Sequence, residues 1–141
     1  MATLAACADA IEARLATISG LRVFDHPPQG AIPPAAFMVL TGWEPEAMGR
    51  AGLKQVMFDV YVFTAETARP VDGYKALLEY ADSSGAKSID LAMWDGMSGG
   101  VFGGLASTTA HVAGFRVLGE AEVDAFQMYG GVFTVEVHTK G

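Results

Sequence analysis

Three histidines, one cysteine and sixteen acids are the side chains from which this chain could build chemistry. Their spacing argues against each obvious site in turn. His26, His111 and His138 stand on different segments, without the HxH or HExxH spacing that sets two imidazoles toward one zinc ion. They read as surface or interface histidines. Asp90 and Asp95 flank Trp94, and paired carboxylates can do general acid–base work. Placed on and just past a short helix, they read as solvated acids. Cys7 sits among alanines with no cationic neighbour in sequence to favour its thiolate, which describes a packed, inert thiol. The run GGVFGG at 99–104 clusters glycines, but it is neither GxGxxG nor GxxxxGK[ST]. No lysine follows it to meet a phosphate, so it reads as a flexible turn. No serine occupies a GxSxG elbow. The residues therefore predict no catalytic group, no metal ligand, no cofactor and no enzyme.

Composition narrows the classes further. A chain of 141 residues is one domain's worth, 1–141. At this size about two-thirds of the unfolded surface is buried, enough for a core without a disulfide or metal staple. The single cysteine cannot bridge within the chain. Nine Lys+Arg against sixteen Asp+Glu give a net charge of −7, the wrong sign for wrapping a nucleic-acid backbone. No apolar run approaches the roughly 18 residues of a membrane span, and the start lacks the basic-then-apolar plan of a signal peptide. The expectation is a soluble protein that works where it is translated. Apolar residues reach 51% and charged residues only 18%, below the usual ~25%, with a mean hydropathy of +0.29. Two readings follow. Either alanine-rich coding inflates the apolar count, or part of the surface is buried against other subunits.

Glycine and proline divide the chain into elements. Residues 3–19 predict a helix, with Leu4, Ala8, Ile11, Leu15 and Ile18 on one stripe, Thr3 as N-cap and Gly20 as the left-handed stop. Ala6, Ala10, Ala13 and Thr17 form a second stripe of small residues. It reflects either alanine's helix propensity or a smooth surface for a neighbouring subunit. Leu21–Asp25 predicts a short strand, and Pro27-Pro28 and Pro33-Pro34 bracket a stiff loop. Ala36–Thr41 predicts a second strand and Lys54–Phe63 a third. In the third, Val56, Phe58, Val60 and Val62 line one face, and Met57, Asp59, Tyr61 and Phe63 the other. Both faces are apolar enough to be covered. Residues 70–82 predict a helix with Tyr74, Leu77, Leu78 and Ala81 on its apolar stripe, and Ser88 opens a shorter one to Trp94. Residues 95–107 read as a glycine-rich loop. Thr108–Leu118 and Gln127–Thr139 predict two last strands, with Phe133, Val135 and Val137 inward and Val132, Thr134, Glu136 and His138 outward. The order α-β-β-β-α-α-β-β argues against a doubly wound sheet. It predicts an α+β fold, a mostly antiparallel, mixed sheet packed by two main helices.

Between the second and third strands, Gly42–Leu53 reads as a connection projecting from the sheet edge. It carries Trp43, Met48, Arg50 and Leu53, residue types suited to an interface, with the acids Glu44 and Glu46. The alternative is that Trp43 folds back onto its own sheet.

The ensemble "RLATISGLRVFDH", "PPQGAIPPAAFMVL", "KQVMFDVYVFTA", "SSGAKSID" and "HVAGFRVLGE…YGGVFTVEVHT" spans nearly the whole chain. In this order it resembles the tail terminator proteins of long-tailed, non-contractile bacteriophages, in the form common among actinobacteriophages. The segment Gly42–Leu53, with Trp43, Met48 and Arg50, departs from the pattern, so no contacts carry over there. The resemblance implies a small α+β structural protein of the virion neck, assembled in the host cytoplasm. It would close into a homo-oligomeric ring of six on the major tail tube protein, stop tube polymerisation and present the surface that joins the head–tail connector proteins. DNA would pass through the lumen without specific binding, and no membrane is involved. A ring needs two different complementary patches per subunit, and an acidic wall does not hold phosphates. The competing readings are another neck component, such as a connector or completion protein; a small-molecule-binding domain with Phe115, Tyr129 and Trp94 in its pocket; and an enzyme.

Overall fold

The computed structural model describes residues 4–24, 34–45, 53–66, 70–97, 102–105, 108–123 and 126–140. Helix α1 (Leu4–Leu15) is followed by β1 (Arg22–Phe24), β2 (Ala35–Pro45), β3 (Leu53–Glu66), α2 (Pro70–Ala81), α3 (Ile89–Asp95), a 3-10 turn at Phe102–Gly104, β4 (Thr108–Val123) and β5 (Phe126–Lys140). This is the α+β order that the sequence predicts. The strands form one five-stranded sheet in the order β1-β2-β3-β5-β4. β1 runs parallel to β2, and the other three pairings are antiparallel.

All three helices pack on one face of the sheet. Cys7, Ile11, Leu15 and Ile18 from the first helix and its exit turn meet Tyr80 of α2 and Ile89, Ala92 and Met93 of α3. Beneath them lie Ala36, Met38, Val56, Phe58, Val60, Val62, Ala110, Phe133, Val135 and Val137. The third strand thus buries the alternate set that its period of two predicts. α1 ends at Leu15, short of the residue 19 that the sequence predicts. The Thr17 and Ile18 N–H groups donate to the Arg14 and Leu15 carbonyls in tighter turns, and Gly20, at φ 84, serves the Ile18–Leu21 turn into β1 rather than stopping the helix. Thr3 and the prolines at 27, 28 and 33 lie outside the described residues.

Three further elements differ from expectation. The stretch Gly42–Pro45 is strand, not loop. Beyond a bulge between Leu40 and Gly42, Trp43 pairs with Val56, Glu44 with Gln55 and Pro45 with Lys54. Ladder hydrogen bonds override the poor strand propensity of Gly, Glu and Pro. On α2 the stripe is rotated: Leu77 and Tyr80 are buried, while Tyr74 and Leu78 (48% exposed) face outward. The i, i+3 pair Leu77–Tyr80 competes with Leu78–Ala81 for the inner face, and the larger aromatic ring of Tyr80 fills the space against the core. The glycine-rich run holds a core anchor, since Phe102 is fully buried. Its neighbour Gly103 adopts φ 59, and a Cβ there would stand 2.8 Å from the Ala10 Cβ. Another at Gly96 would meet the Phe102 ring at 2.8 Å and Arg14 Cδ at 3.0 Å. Glycine at both positions leaves room for the side chains of Ala10, Arg14 and Phe102.

Candidate functional site

The second face of the sheet divides into two ends. At the end where β1 joins, Phe37 stacks on Tyr61 (ring centroids 5.1 Å apart) and on Phe63 (5.9 Å). Phe24 packs against the same cluster. Gly130 faces Phe63 across the ladder, where a Cβ would stand 2.3 Å from the Val62 carbonyl oxygen. The sequence predicts both faces of β3 to be buried, and at this end Phe63 is. At the far end the surface is polar and half-exposed. Gln55, Met57 and Asp59 of β3 lie opposite His138, Glu136 and Thr134 of β5.

β4 adds His111 to that polar end. His111 pairs directly with Glu136, and His138 lies two residues along β5 on the same face. His111 Nε2 is 3.3 Å from Glu136 Oε2, and His138 Nε2 is 3.7 Å from the same oxygen. The two imidazoles stack with centroids 5.6 Å apart and planes within 5°. The sequence places His111 and His138 on different segments, without metal-ligand spacing, and reads them as surface or interface histidines. Antiparallel pairing of β4 with β5 brings them together on that surface, a contact that no local motif encodes. His26 lies outside the described residues.

β2 supplies a different surface. β1 pairs only with Ala35, Ala36 and Phe37, so from Met38 onward the outer edge of β2 has no strand partner among the described residues. That stretch carries exposed Val39, Leu40 and Trp43, the last 47% exposed. Unpaired strand edges with apolar side chains are templates for pairing with another chain. Leu40 and Trp43 share the helix-side face because the bulge between them restores the alternation that Ala36 and Met38 begin. Leu53 opens β3 and pairs with Lys140, while Met48 and Arg50 lie outside the described residues. Trp43 therefore belongs to the sheet and is half-exposed on it, an outcome between the two readings of the sequence.

The small-residue stripe of α1 divides. Ala6 and Ala10 are half-buried, and Ala10 packs on the core with Gly103 of the same chain close above it. Ala13 and Thr17 are exposed, the Thr17 hydroxyl donating to the Arg14 carbonyl at 2.6 Å. Arg14 Nε donates to the Ala92 carbonyl at 3.0 Å and ties α1 to α3. Beside this tie a solvent-open cleft is lined by Arg14, Thr17, Ser88, Leu91 and Ala92.

Of the aromatic residues considered for a ligand pocket, Phe115 packs on Phe133 at 4.6 Å and Trp94 stands 71% exposed on α3. Tyr129 is in β5, opposite Glu120 and Ala65. Asp90 lies in the first turn of α3, which Ser88 caps. Cys7 is buried among core side chains, and that burial pushes its thiol pKa up. No helix of the described residues is long and apolar enough to cross a membrane. No protein-family model matches the chain, and no curated protein matches it either.

Proposed function

We propose that this protein is a phage tail terminator: a structural subunit that closes into a ring, most simply of six copies, on the end of the tail tube. The ring halts addition of the major tail tube protein and offers a joining surface to the head–tail connector. The observation that carries the reading is the outer stretch of β2, where Val39, Leu40 and Trp43 are exposed beyond the short pairing with β1, which ends at Phe37. A heterologous ring joins two unlike patches on each subunit. The β2 edge is one, and exposed Ala13 of α1 with Thr17 of its exit turn is the other. The whole-chain sequence resemblance and the net charge of −7, which disfavours phosphate binding along a DNA passage, support the same assignment. No catalytic step belongs to this reading.

The test is assembly on tails. Val39→Lys places a charge at the β2 edge, and Ala13→Arg places bulk and charge on the exposed side of α1. Each variant should retain the far-ultraviolet circular dichroism of the parent. Each should also fail to cap tails in a complementation assay, leaving tubes of uncontrolled length under the electron microscope. Normal tail lengths with both folded variants would overturn the assignment. Ala10 is not a useful probe, because Gly103 of the same chain already occupies the space above it.

A further inference from the structure

We propose that His111, Glu136 and His138 form a binding site for a divalent transition-metal ion of the zinc class. The inference stands on the β4–β5 pairing and is independent of the ring reading. Two imidazole nitrogens and one carboxylate oxygen all lie within 4.8 Å of one another on the second face of the sheet. A tetrahedral zinc ion holds nitrogen at ~2.0–2.1 Å and carboxylate oxygen at ~2.0–2.2 Å, which puts ligand atoms roughly 3.4 Å apart. The present separations from Glu136 Oε2, 3.3 and 3.7 Å, are within a small side-chain rotation of that figure.

The backbone does the positioning. Glu136 and His138 are alternate residues of one strand, and His111 is the direct cross-strand partner of Glu136. Ladder hydrogen bonds thus fix all three Cα positions before any ion arrives. The stacked imidazoles direct both Nε2 atoms to the same carboxylate oxygen. Gln55 and Met57 of β3 flank the cluster on its other side, which makes it part of a three-stranded surface rather than a loose edge.

Donor chemistry selects the ion. Two imidazoles with one carboxylate suit Zn²⁺, Ni²⁺ or Cu²⁺, whereas Ca²⁺ and Mg²⁺ require shells of oxygen. Three protein ligands leave at least one coordination position. Because side chains at the site are partly exposed, that position opens to solvent and takes water. An ion held here would clip β4 to β5 in the folded state only, so it would raise the unfolding temperature by mass action. This revises the sequence expectation of no metal ligand, although the fold has a core of its own.

The experiment uses the full-length protein freed of metal with a chelator that is then removed. Zinc chloride is titrated against a chromophoric zinc indicator, and the melting temperature is read in parallel. Stoichiometric binding with a raised melting temperature is expected, and magnesium or calcium chloride should produce neither. His111→Ala, His138→Ala and Glu136→Gln should each weaken zinc binding by at least about tenfold, the scale on which even supporting residues of metal sites count. His26→Ala should leave it unchanged. Cobalt chloride offers a second readout, since a low-coordinate Co²⁺ site gives visible absorption that should vanish in the His111→Ala/His138→Ala double variant. Circular dichroism of each metal-free variant separates a lost ligand from a lost fold. Absence of zinc binding, or binding that survives the folded double variant, overturns the proposal.

Discussion

Among the described residues, Cys7 and Tyr80 are buried groups whose ionisation folding opposes. Burial pushes the Cys7 thiol up; burial first, and the charge of Glu79 second, push the Tyr80 phenol up. A raised folded pKa gives stability that is complete below the unfolded value and is lost as pH rises through the folded one. The unfolded values are about 8.5 for a thiol and about 10 for a phenol. Urea midpoints should therefore fall on going alkaline, with a first stage above about pH 8.5 that Cys7→Ala removes and a second that it keeps. An identical pH profile in Cys7→Ala would contradict the assignment. Native protein should also resist a thiol reagent until it unfolds. Ser88 makes a second prediction at this scale. Its buried hydroxyl donates to the Asp82 carbonyl and accepts from Leu91 N–H at 3.0 Å, capping α3 and fixing the turn before it. Ser88→Ala removes both bonds and should cost about 1–2 kcal/mol in denaturant unfolding. Of these residues the sequence made the Ser88 cap and the packed Cys7 legible, because both follow from near neighbours. Tyr80 was not legible, since only the turn of α2 against the sheet decides which side of that helix is inner.

The long antiparallel strands show how far periodicity carries an argument about elements. β3 alternates without interruption from Val56 to Val62, and its faces follow from sequence directly. β4 does not. Bulges at Val112/Gly114 and Val117/Gly119 each slip its register against β5 by one residue. Core positions are therefore Ala110 and Val112 before the first bulge and Phe115 after it. The same bulges govern the histidine cluster. A regular hairpin closed between Val123 and Phe126 would set His111 opposite His138; the two slips set it opposite Glu136 and keep all three on one face. Gly131 is the fixed point of this arrangement, because a Cβ there would stand 2.7 Å from the Phe115 ring and 3.0 Å from the Arg116 carbonyl oxygen. On α2 the same question of faces has a direct test. Leu77→Ala should cost about 2–5 kcal/mol, as a fully buried leucine does. Leu78→Ala should stay within about 0.5 kcal/mol. Equal losses would mean that the apolar stripe predicted from spacing, with Leu78 inward, is the true one.

At the scale of the molecule, helices cover one face of the sheet, and the outer stretch of β2 is left to be explained. Trp43 decides between two accounts of it. As part of a strand paired with Val56 it has a structural role, and as a side chain 47% exposed it keeps half its surface for something else. A fully buried tryptophan cut to alanine costs about 3–5 kcal/mol of folding stability. Half-burial should hold the loss in Trp43→Ala to roughly half of that or less. An interface anchor, by contrast, costs at least about 2 kcal/mol of binding, a weakening of some thirtyfold or more. The two quantities can be measured on the same variant, by chemical denaturation of the isolated subunit and by competition with parent protein for tail ends. The docking account requires that binding suffer more than folding. The bulge between Leu40 and Gly42 makes the prediction sharper, because it sets Leu40 on the same face as Trp43. Leu40→Lys should therefore reproduce the binding loss with little change in folding, since Leu40 is also exposed. If Trp43→Ala unfolds early while Leu40→Lys caps tails normally, the apolar edge serves only its own sheet, and the proposed ring loses this contact.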